Sequence, residues 1–418
     1  MKNNSIHIII VGLLLWLPLQ TSAQGNLNEY LETAARNNPE LKASFNQYLA
    51  ALERVPQVGA LPDPQVAFAY FIQPVETRQG PQQAKFSVTQ MFPWFGLLDA
   101  REQQAAAKAK ASYQAFEQAR LQLFHSVRSA YYSYYVTNRA VEISREHLEL
   151  LGTIHNWLGS KLEAGLVPAV DEYRLQMEIG DLENQLATLK EKVLAKQVAF
   201  NKLLHTQADK PIEIPDTLWN REFQYSYAQV LDSTLKGNPK VKQLAFNQQA
   251  TTYGREVARI NGLPDFSLGV DYTVIAPGAA DLGGTDAILF PKIGITIPLN
   301  RKKYRAMEEE ARLNQETVKW QQTAVKNSLE TRVAAGWEAY EDATRRVELF
   351  KQQVDLTEKT LPLLQTQYAS GKTSFEELLR MERKMLNYKL ALEQARADKL
   401  KAISNLQQLM GHEYKTAK

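Results

Sequence analysis

The sequence predicts a mainly α-helical protein with a small antiparallel β part, built from one module that occurs twice. Short motifs recur at a nearly constant spacing, which is 200 residues between Pro39 and Pro239 and 206 residues between Gly165 and Gly371. Each copy also contains two stretches of strand-like alternation and one very long helical stretch. Because solenoid repeats are only about 20–50 residues long, the repeated unit is a large supersecondary module. The other paired motifs are Asn38 with Asn238, Leu61-Pro62-Asp63 with Leu263-Pro264-Asp265, Pro93 with Pro298, and Leu203-Leu204 with Leu409-Met410.

The repeats divide the chain into five segments. We predict that residues 1–23 are a secretory signal peptide, because Lys2 precedes an apolar stretch and small residues offer a cleavage site after Ala23. A membrane anchor is the less favoured alternative, since the apolar run is shorter than the ~20 residues that span a bilayer. The remaining segments are a first repeat (24–205), a connector (206–236), a second repeat (237–411) and a tail (412–418).

The composition excludes several functions. The chain has no cysteine, which rules out disulfides, thiolate metal sites and a cysteine nucleophile. Its formal charge is only +3, and acidic and basic residues are interleaved, so nothing favours nucleic-acid binding. No Gly-rich phosphate loop, His-Glu-x-x-His or Gly-x-Ser-x-Gly pattern occurs. We therefore expect no enzymatic activity, no cofactor and no metal site.

Each copy begins with short helices and continues into a β-hairpin. In the first copy a helical segment at residues 27–36 precedes a helix that begins near Pro39, where a proline loses no hydrogen bond. The prolines at positions 62 and 64 end this helix. The apolar pattern then changes from helical to alternating, which predicts strands at residues 65–73 and 84–92, joined by a polar link at 76–82.

The second copy repeats this hairpin at residues 265–297, as the first copy has it at residues 65–92. In both hairpins large apolar residues alternate with small or polar ones, so that each hairpin has one apolar face. Four such strands cannot close a membrane barrel, because the smallest common barrels have about eight. Three chains would supply twelve strands and leave no open edge. The faces of a soluble sandwich would alternate in the same way, so this alternative stays open.

The longest predicted helices follow the hairpins, at residues 94–164 and 302–370. About 70 residues at ~1.5 Å each give a helix on the order of 100 Å long. Apolar residues repeat every seven positions along both, which indicates packing along a coiled-coil seam. The helices end at Gly165 and Gly371, and returning helices are predicted at 169–204 and 375–410. In the second copy the stripe consists of Val333, Tyr340, Val347, Val354, Leu361 and Tyr368.

With these features the sequence resembles the outer membrane efflux protein family, typified by TolC. The resemblance covers nearly the whole mature chain. It rests on the duplicated Asn-Pro helix start, the two hairpins, the proline before each long helix and a Tyr-x-x-Gly turn at Tyr368 to Gly371. The family implies a homotrimer in which a twelve-stranded β-barrel in the outer membrane continues as an α-helical barrel through the periplasm. It also implies an exit duct that works with a periplasmic adaptor protein and an inner-membrane pump, or in a type I secretion system.

The resemblance places the adaptor-docking sites of the family in the two helical turns. They carry over to Gly165, Leu166 and Val167 in the first copy and to Gly371, Lys372 and Thr373 in the second. The same residues also serve as ordinary helix caps and turns. Leu162 stands where the family usually has an aromatic residue, which argues against identical binding by the two turns.

The family closes its periplasmic mouth with acidic residues six and nine positions after the turn glycine. Here these positions hold Asp171 and Arg174 in the first copy and Glu377 and Arg380 in the second. The resemblance therefore implies a gate of mixed charge rather than an acidic ring. As an alternative, Asp171 and Glu377 are first-turn residues that stabilise their helices.

On the strands the resemblance implies a polar lumen and a face toward outer-membrane lipid. The residues expected to face the lumen are Lys85, Ser87, Thr89, Asp271, Thr273 and Lys292. Those expected to face lipid are Phe86, Val88, Leu268, Val270, Ile293 and Ile295.

Two readings of function compete with the duct. One is an exported coiled-coil scaffold or adhesin without channel activity, which would have no need for strand pairs with lipid-compatible faces. The other is a periplasmic enzyme, against which the missing catalytic motifs count. The segment from Met91 to Gly96 is similar to the branch that serves heavy-metal and cation efflux pumps of the resistance-nodulation-division class, while the transported substrate stays open.

Overall fold

The computed structural model describes residues 23–218, 222–277 and 287–412. The predicted signal peptide lies outside the described residues except for Ala23, and so do most of the second hairpin's loop and the tail after residue 412. Within the described ranges the chain forms eight helices and four strands. The helices are α1 (Ala23–Asn37), α2 (Pro39–Gly59), α3 (Leu97–Glu163), α4 (Ala169–Leu203), α5 (Tyr227–Gly237), α6 (Pro239–Ile260), α7 (Arg301–Ala369) and α8 (Phe375–Met410). The strands are β1 (Gln65–Thr77), β2 (Gly80–Phe92), β3 (Asp265–Ile275) and β4 (Ala287–Thr296).

The duplicated asparagines explain why each copy closes on itself. The Asn238 side chain accepts a hydrogen bond from the backbone N–H of Lys240 at 2.9 Å, which caps the start of α6. Its amide nitrogen donates to the Leu409 carbonyl at 2.8 Å, near the end of α8. In the first copy Asn38 caps α2 and donates to the Leu203 carbonyl at 3.1 Å. The same residue therefore ties a helix start to the end of the returning helix in both copies.

The four strands form one antiparallel sheet in the order β1-β2-β3-β4. All four strands meet the helices at the same end of the sheet. The link predicted at residues 76–82 is wrong, because β1 extends to Thr77 and β2 begins at Gly80. The pairs Val75 with Gln82 and Glu76 with Pro81 continue the ladder, so polar side chains lie on the strands there rather than in a loop.

The long helices have the predicted bounds to within a few residues. Helix α3 has 67 residues and α7 has 69, which gives each a length on the order of 100 Å. Near the sheet α3 packs between α2 and α6, and farther away it packs between α4 and α8. None of the described helices has a stretch long and apolar enough to cross a membrane.

Two large apolar clusters hold these helices together, and a small third one around Leu97 and Ile260 joins α3 to α6. One lies where α1, α5 and the ends of α4 and α8 pack around the middle of α3 and α7, and Tyr131, Phe200 and Leu406 are fully buried in it. The other lies near the two helical turns, around Leu158, Leu175 and Phe375. The second cluster joins both helix pairs close to the residues expected to form a gate.

Candidate channel lining, helical turns and gate

The sheet brings the polar strand residues to a common face. Because side chains alternate along a strand and neighbouring strands stay in register, residues that are paired across the ladder point to the same side. The register pairs Lys85 with Thr273, Ser87 with Asp271, Thr89 with Gly269, and Gly269 with Lys292. All six side chains expected to face a lumen therefore share one face.

Asp271 is at the centre of this polar face. Its Oδ2 atom lies 2.6 Å from Lys85 Nζ, and its Oδ1 atom lies 2.9 Å from Lys292 Nζ. The two lysine side chains cover the carboxylate, which is only 3% exposed. Lys85 Nζ also lies 5.5 Å from the centre of the Phe290 ring, within the range of a cation–π contact. Two ammonium groups and one carboxylate leave the cluster with a net positive charge.

Gly269 makes this cluster possible. A Cβ atom at this position would lie 2.7 Å from Lys292 Cε and 2.9 Å from Thr89 Oγ1. The Lys292 side chain therefore crosses directly over the glycine to reach Asp271. Sequence analysis did not single out Gly269. The sequence did contain a signal for it, because a glycine inside an otherwise regular strand pattern often marks a close approach of a neighbouring group.

The opposite face of the sheet is apolar and exposed. Ile72 is 91% exposed and Ile293 is 81% exposed. Soluble proteins rarely expose a contiguous apolar surface of this kind unless it binds a partner or a membrane. The residues expected to face lipid, which are Phe86, Val88, Leu268, Val270, Ile293 and Ile295, are all exposed on this face.

The two helical turns have the same backbone geometry. Gly165 and Gly371 both have a φ of +69°, in the left-handed region that favours glycine. The backbone N–H of Leu166 donates to the Lys161 carbonyl at 2.9 Å, and that of Lys372 donates to the Gln367 carbonyl at 2.9 Å. A Cβ built on either glycine would meet none of the described atoms within 4 Å, so conformation rather than crowding requires glycine.

The side chains around these glycines differ in exposure. Leu166 is 66% exposed and Lys372 is exposed, so both are accessible on the described chain. Val167 is half-buried because it packs against the apolar cluster near the turns. Thr373 is also half-buried. Val167 therefore has a structural role in addition to its expected role in docking.

Asp171 connects the two helical hairpins. It lies in the first turn of α4 and is buried. Tyr368, in the last turn of α7, donates a hydrogen bond from its hydroxyl to Asp171 Oδ2 at 3.2 Å. Burial and the neighbouring carboxylate raise the pKa of Tyr368 to about 12, so the hydroxyl stays protonated and remains a donor. This bond joins residues that are 197 positions apart in the sequence.

The other expected gate residues form two separate ion pairs. Arg174 Nη1 lies 3.5 Å from Asp171 Oδ1 on α4, and Arg380 pairs with Glu377 on α8. The Ser374 hydroxyl accepts a hydrogen bond from the Glu377 backbone N–H at 3.2 Å, so Glu377 also belongs to a helix start. Among the described residues no ion pair joins these two pairs directly.

Glu376, Glu178 and Arg383, which sequence analysis did not assign to the gate, take part in the ion pairs that connect α4 to α8. Arg174 Nη2 lies 3.6 Å from Glu376 Oε2, which links α4 to α8. Arg383 forms a second link between the same helices by pairing with Glu178. Among Tyr368, Glu376, Glu178 and Arg383, only Tyr368 stood out in the sequence, as the first residue of the Tyr-x-x-Gly turn.

Long paired helices that end in two glycine turns at one side and in a two-faced sheet at the other define a channel-type membrane protein. The chain matches the family model described as outer membrane efflux protein over residues 30–205 and 230–412. The chain belongs to this family. It is therefore an outer-membrane efflux channel that extends into the periplasm, and it is not an enzyme.

Solved structures share the fold at low sequence identity. The structure of CusC superposes with a TM-score of 0.79 at 15% identity, covering 93% of this chain and 92% of that chain. VceC from Vibrio cholerae gives 0.77 at 18% identity, covering 94% of this chain and 97% of that chain. The outer membrane channel MtrE from Neisseria gonorrhoeae, in its open state, gives 0.74 at 15% identity, covering 92% and 89%. No curated protein matches the chain.

Proposed function

We propose that three copies of this chain form the exit duct of a tripartite efflux pump or of a type I secretion system. The duct passively conducts substrate that an inner-membrane pump delivers, and a periplasmic adaptor protein docks on its helical turns. One observation carries this proposal. The sheet of each chain has an unpaired edge on either side, its helical part has an outer helix on either side, and one side can pair with the other side of the next chain.

The sheet has one free edge at each end. In the described residues β1 pairs with β2 alone and β4 pairs with β3 alone. Unpaired strand edges with an apolar face promote association, and closure into a barrel removes them. Pairing β4 of one chain with β1 of the next, three times, gives twelve strands. The face that holds Asp271 then lines the lumen, and the face that holds Ile293 meets lipid.

The helices repeat this arrangement. The outer helices are α4, which packs on α3, and α7, which packs on α8, while α3 and α8 join them. Each outer helix carries a stripe of exposed apolar residues. The stripes are Val170, Tyr173 and Met177 on α4, and Leu349, Leu356 and Leu363 on α7. A ring in which α7 of one chain meets α4 of the next buries both stripes and continues the strand pairing.

The turns and the gate take their roles from this assembly. In the trimer the two turns of each chain give six turns at the periplasmic end, where the adaptor binds. The turns consist of Gly165, Leu166 and Val167 and of Gly371, Lys372 and Thr373. At the mouth the proposed gate consists of Asp171, Arg174, Glu377 and Arg380. Asp171 links to α7 through Tyr368 and Arg174 links to α8 through Glu376, whereas Glu377 and Arg380 pair with each other on α8. The pump rather than the duct selects the cargo, so a heavy-metal or cation substrate is a proposal that depends on the partner pump.

The test is the substitution Gly371→Glu in a strain that depends on this duct for efflux of a fluorescent dye. A glutamate at this turn is expected to abolish dye efflux while the trimer persists, because the left-handed φ and the docking surface both lie at Gly371. The matched control is Gly159→Glu, which places the same side chain on α3, where a Cβ meets none of the described atoms within 4 Å. Normal efflux by the Gly371→Glu protein would contradict the proposed docking site.

A further inference from the structure

A basic cluster lies where β4 leads into α7. Its members, Arg301, Lys302, Lys303 and Arg305, are all exposed. Arg301 Nη1 lies 3.5 Å from the Gly262 carbonyl, and Lys303 Nζ lies 5.3 Å from the centre of the Tyr304 ring. None of the four forms an ion pair with a carboxylate in the part of the chain that the structure describes. The cluster therefore presents its charge to an external anion.

The local structure gives no internal reason for this charge. The first turn of a helix carries a partial positive charge, which disfavours cations there and favours acids. The first turn of α7 has no acidic residue, whereas the first turn of α3 in the other copy has Asp99. The residues equivalent to the cluster by the offset of Pro93 and Pro298 are Gly96, Leu97, Leu98 and Ala100. The cluster is thus specific to the second copy and is not part of the shared framework.

An exposed apolar collar adjoins the basic cluster. Leu299 and Phe95 are each more than four fifths exposed, and Ile297 and Leu61 are at least half exposed. Leu299 lies two residues before Arg301 and continues the apolar face of β4. A change from exposed apolar to cationic residues within two positions is typical of a membrane–water boundary.

We propose that Lys302, Lys303 and Arg305, together with Arg301, bind the phosphate headgroups of anionic phospholipids in the periplasmic leaflet of the outer membrane. The ligand class is phosphatidylglycerol or cardiolipin, with the acyl chains lying against Leu299 and Phe95. Lysine and arginine side chains reach from an apolar surface to the headgroups, and anionic lipids attract such juxtamembrane clusters. The acidic residues Glu308, Glu309 and Glu310 follow one turn later and limit the cationic band to the membrane boundary.

This inference depends on the outer-membrane location and on no pump partner, so it fails or holds independently of the proposed duct function. The experiment uses the full-length protein in nanodiscs of phosphatidylethanolamine with or without cardiolipin. Native mass spectrometry then measures the lipid that remains bound. For the wild type we expect cardiolipin to be retained over phosphatidylethanolamine by about tenfold or more, given about one tenfold step per 1.4 kcal/mol and several cations.

Three variants separate lipid binding from other effects. K302Q/K303Q/R305Q is expected to lose the preference for cardiolipin. K319Q/K326Q/R332Q, which removes the same three charges from exposed positions that begin about 20 Å farther along α7, is expected to keep it. K302R/K303R/R305K, which preserves the charge, is also expected to keep it.

Each further outcome decides the proposal. An unchanged cardiolipin preference in K302Q/K303Q/R305Q would overturn it. Competition by free glycerol 3-phosphate at the same phosphate concentration would show a site for small anions and would also overturn it. Loss of the trimer in K302Q/K303Q/R305Q, with the trimer kept in the charge-preserving variant, would assign the cluster to contacts between chains instead. Loss of cardiolipin from an intact trimer supports the proposal.

Discussion

Removing the Tyr368 hydroxyl should open the periplasmic mouth. In Tyr368→Phe the donor to Asp171 Oδ2, at 3.2 Å, is lost while the ring stays in place. A hydrogen bond to a charged group contributes about 1.5–3 kcal/mol, and the partly accessible Tyr368 favours the lower value of about 1.5 kcal/mol. Because about 1.4 kcal/mol is a tenfold change in an equilibrium, each chain should shift about tenfold toward the open form.

The size of the effect depends on whether the three chains open together. Independent opening gives about a tenfold shift per chain, whereas concerted opening combines three bonds into roughly 4.5 kcal/mol, or about a thousandfold. Single-channel recording in planar bilayers measures both the conductance and the frequency of opening. The control is Ser160→Ala, which removes an exposed hydroxyl from α3 that bonds, among the described residues, only to the Asn156 carbonyl of its own helix, five residues before Gly165.

A double-mutant cycle with Asp171→Asn tests the pair itself. If the two residues act through their shared bond, Tyr368→Phe should add little in the Asp171→Asn background. Openings of Tyr368→Phe that match those of the wild type and of Ser160→Ala would refute the proposal that Tyr368 holds the mouth closed.

Three further predictions concern the gate arginines, the Asn238 cap and Glu382, a buried residue of α8. Arg174→Ala combined with Arg380→Ala should increase conductance less than Tyr368→Phe does, because both arginines are open to solvent and ion pairs with such cations contribute only about 0–1 kcal/mol; a larger increase in bilayer recordings would contradict this ranking. Asn238→Ala should destabilise the fold by about 2–4 kcal/mol in chemical unfolding, since it removes a helix cap and leaves the Leu409 carbonyl without its donor; a cost below about 0.5 kcal/mol would show that this lock is unimportant. Burial raises the pKa of Glu382 above its ordinary value, so its contribution to stability is greatest at low pH and falls as the pH rises through the raised pKa. The gain in Tm of Glu382→Gln over the wild type should therefore grow between about pH 5 and about pH 8, and a gain that shrinks would reverse this argument.

Most of the fold was predictable from local patterns. The prolines, the glycines and the seven-residue repeat set the bounds of the long helices, because each of these signals acts within a few residues. The link at residues 76–82 was mispredicted for the same reason. Local sequence patterns predict a loop for polar residues in an exposed β-ladder, although hydrogen bonds to the partner strand keep these residues in the sheet.

The contacts around the proposed gate were predictable only in part. Asp171 was singled out through the family resemblance, by its distance from Gly165, whereas its partner Tyr368 comes from the other copy and was assigned to a packing stripe. The contact depends on how α4 and α7 are brought together by the cluster around Phe375, which no local pattern encodes. Gly269 was missed because its importance lies in the path of Lys292 from the neighbouring strand.

We propose that identical chains close a ring by bringing α7 of one chain against α4 of the next. The chain has no cysteine, so an introduced pair can be tested without background. Ala187 and Leu349 are both exposed and lie 22 residues from Gly165 and Gly371, so they stand at the same depth from the turns. They are two seven-residue repeats beyond Tyr173 and Leu363, and this distance keeps them away from the contact between Asp171 and Tyr368 within one chain.

Oxidation of the Ala187→Cys, Leu349→Cys protein in isolated outer membranes measures this contact directly. We expect a covalent three-chain product on denaturing gels, and only uncrosslinked chains when either cysteine is present alone. A product that remains a single chain after oxidation of the double variant would contradict the ring.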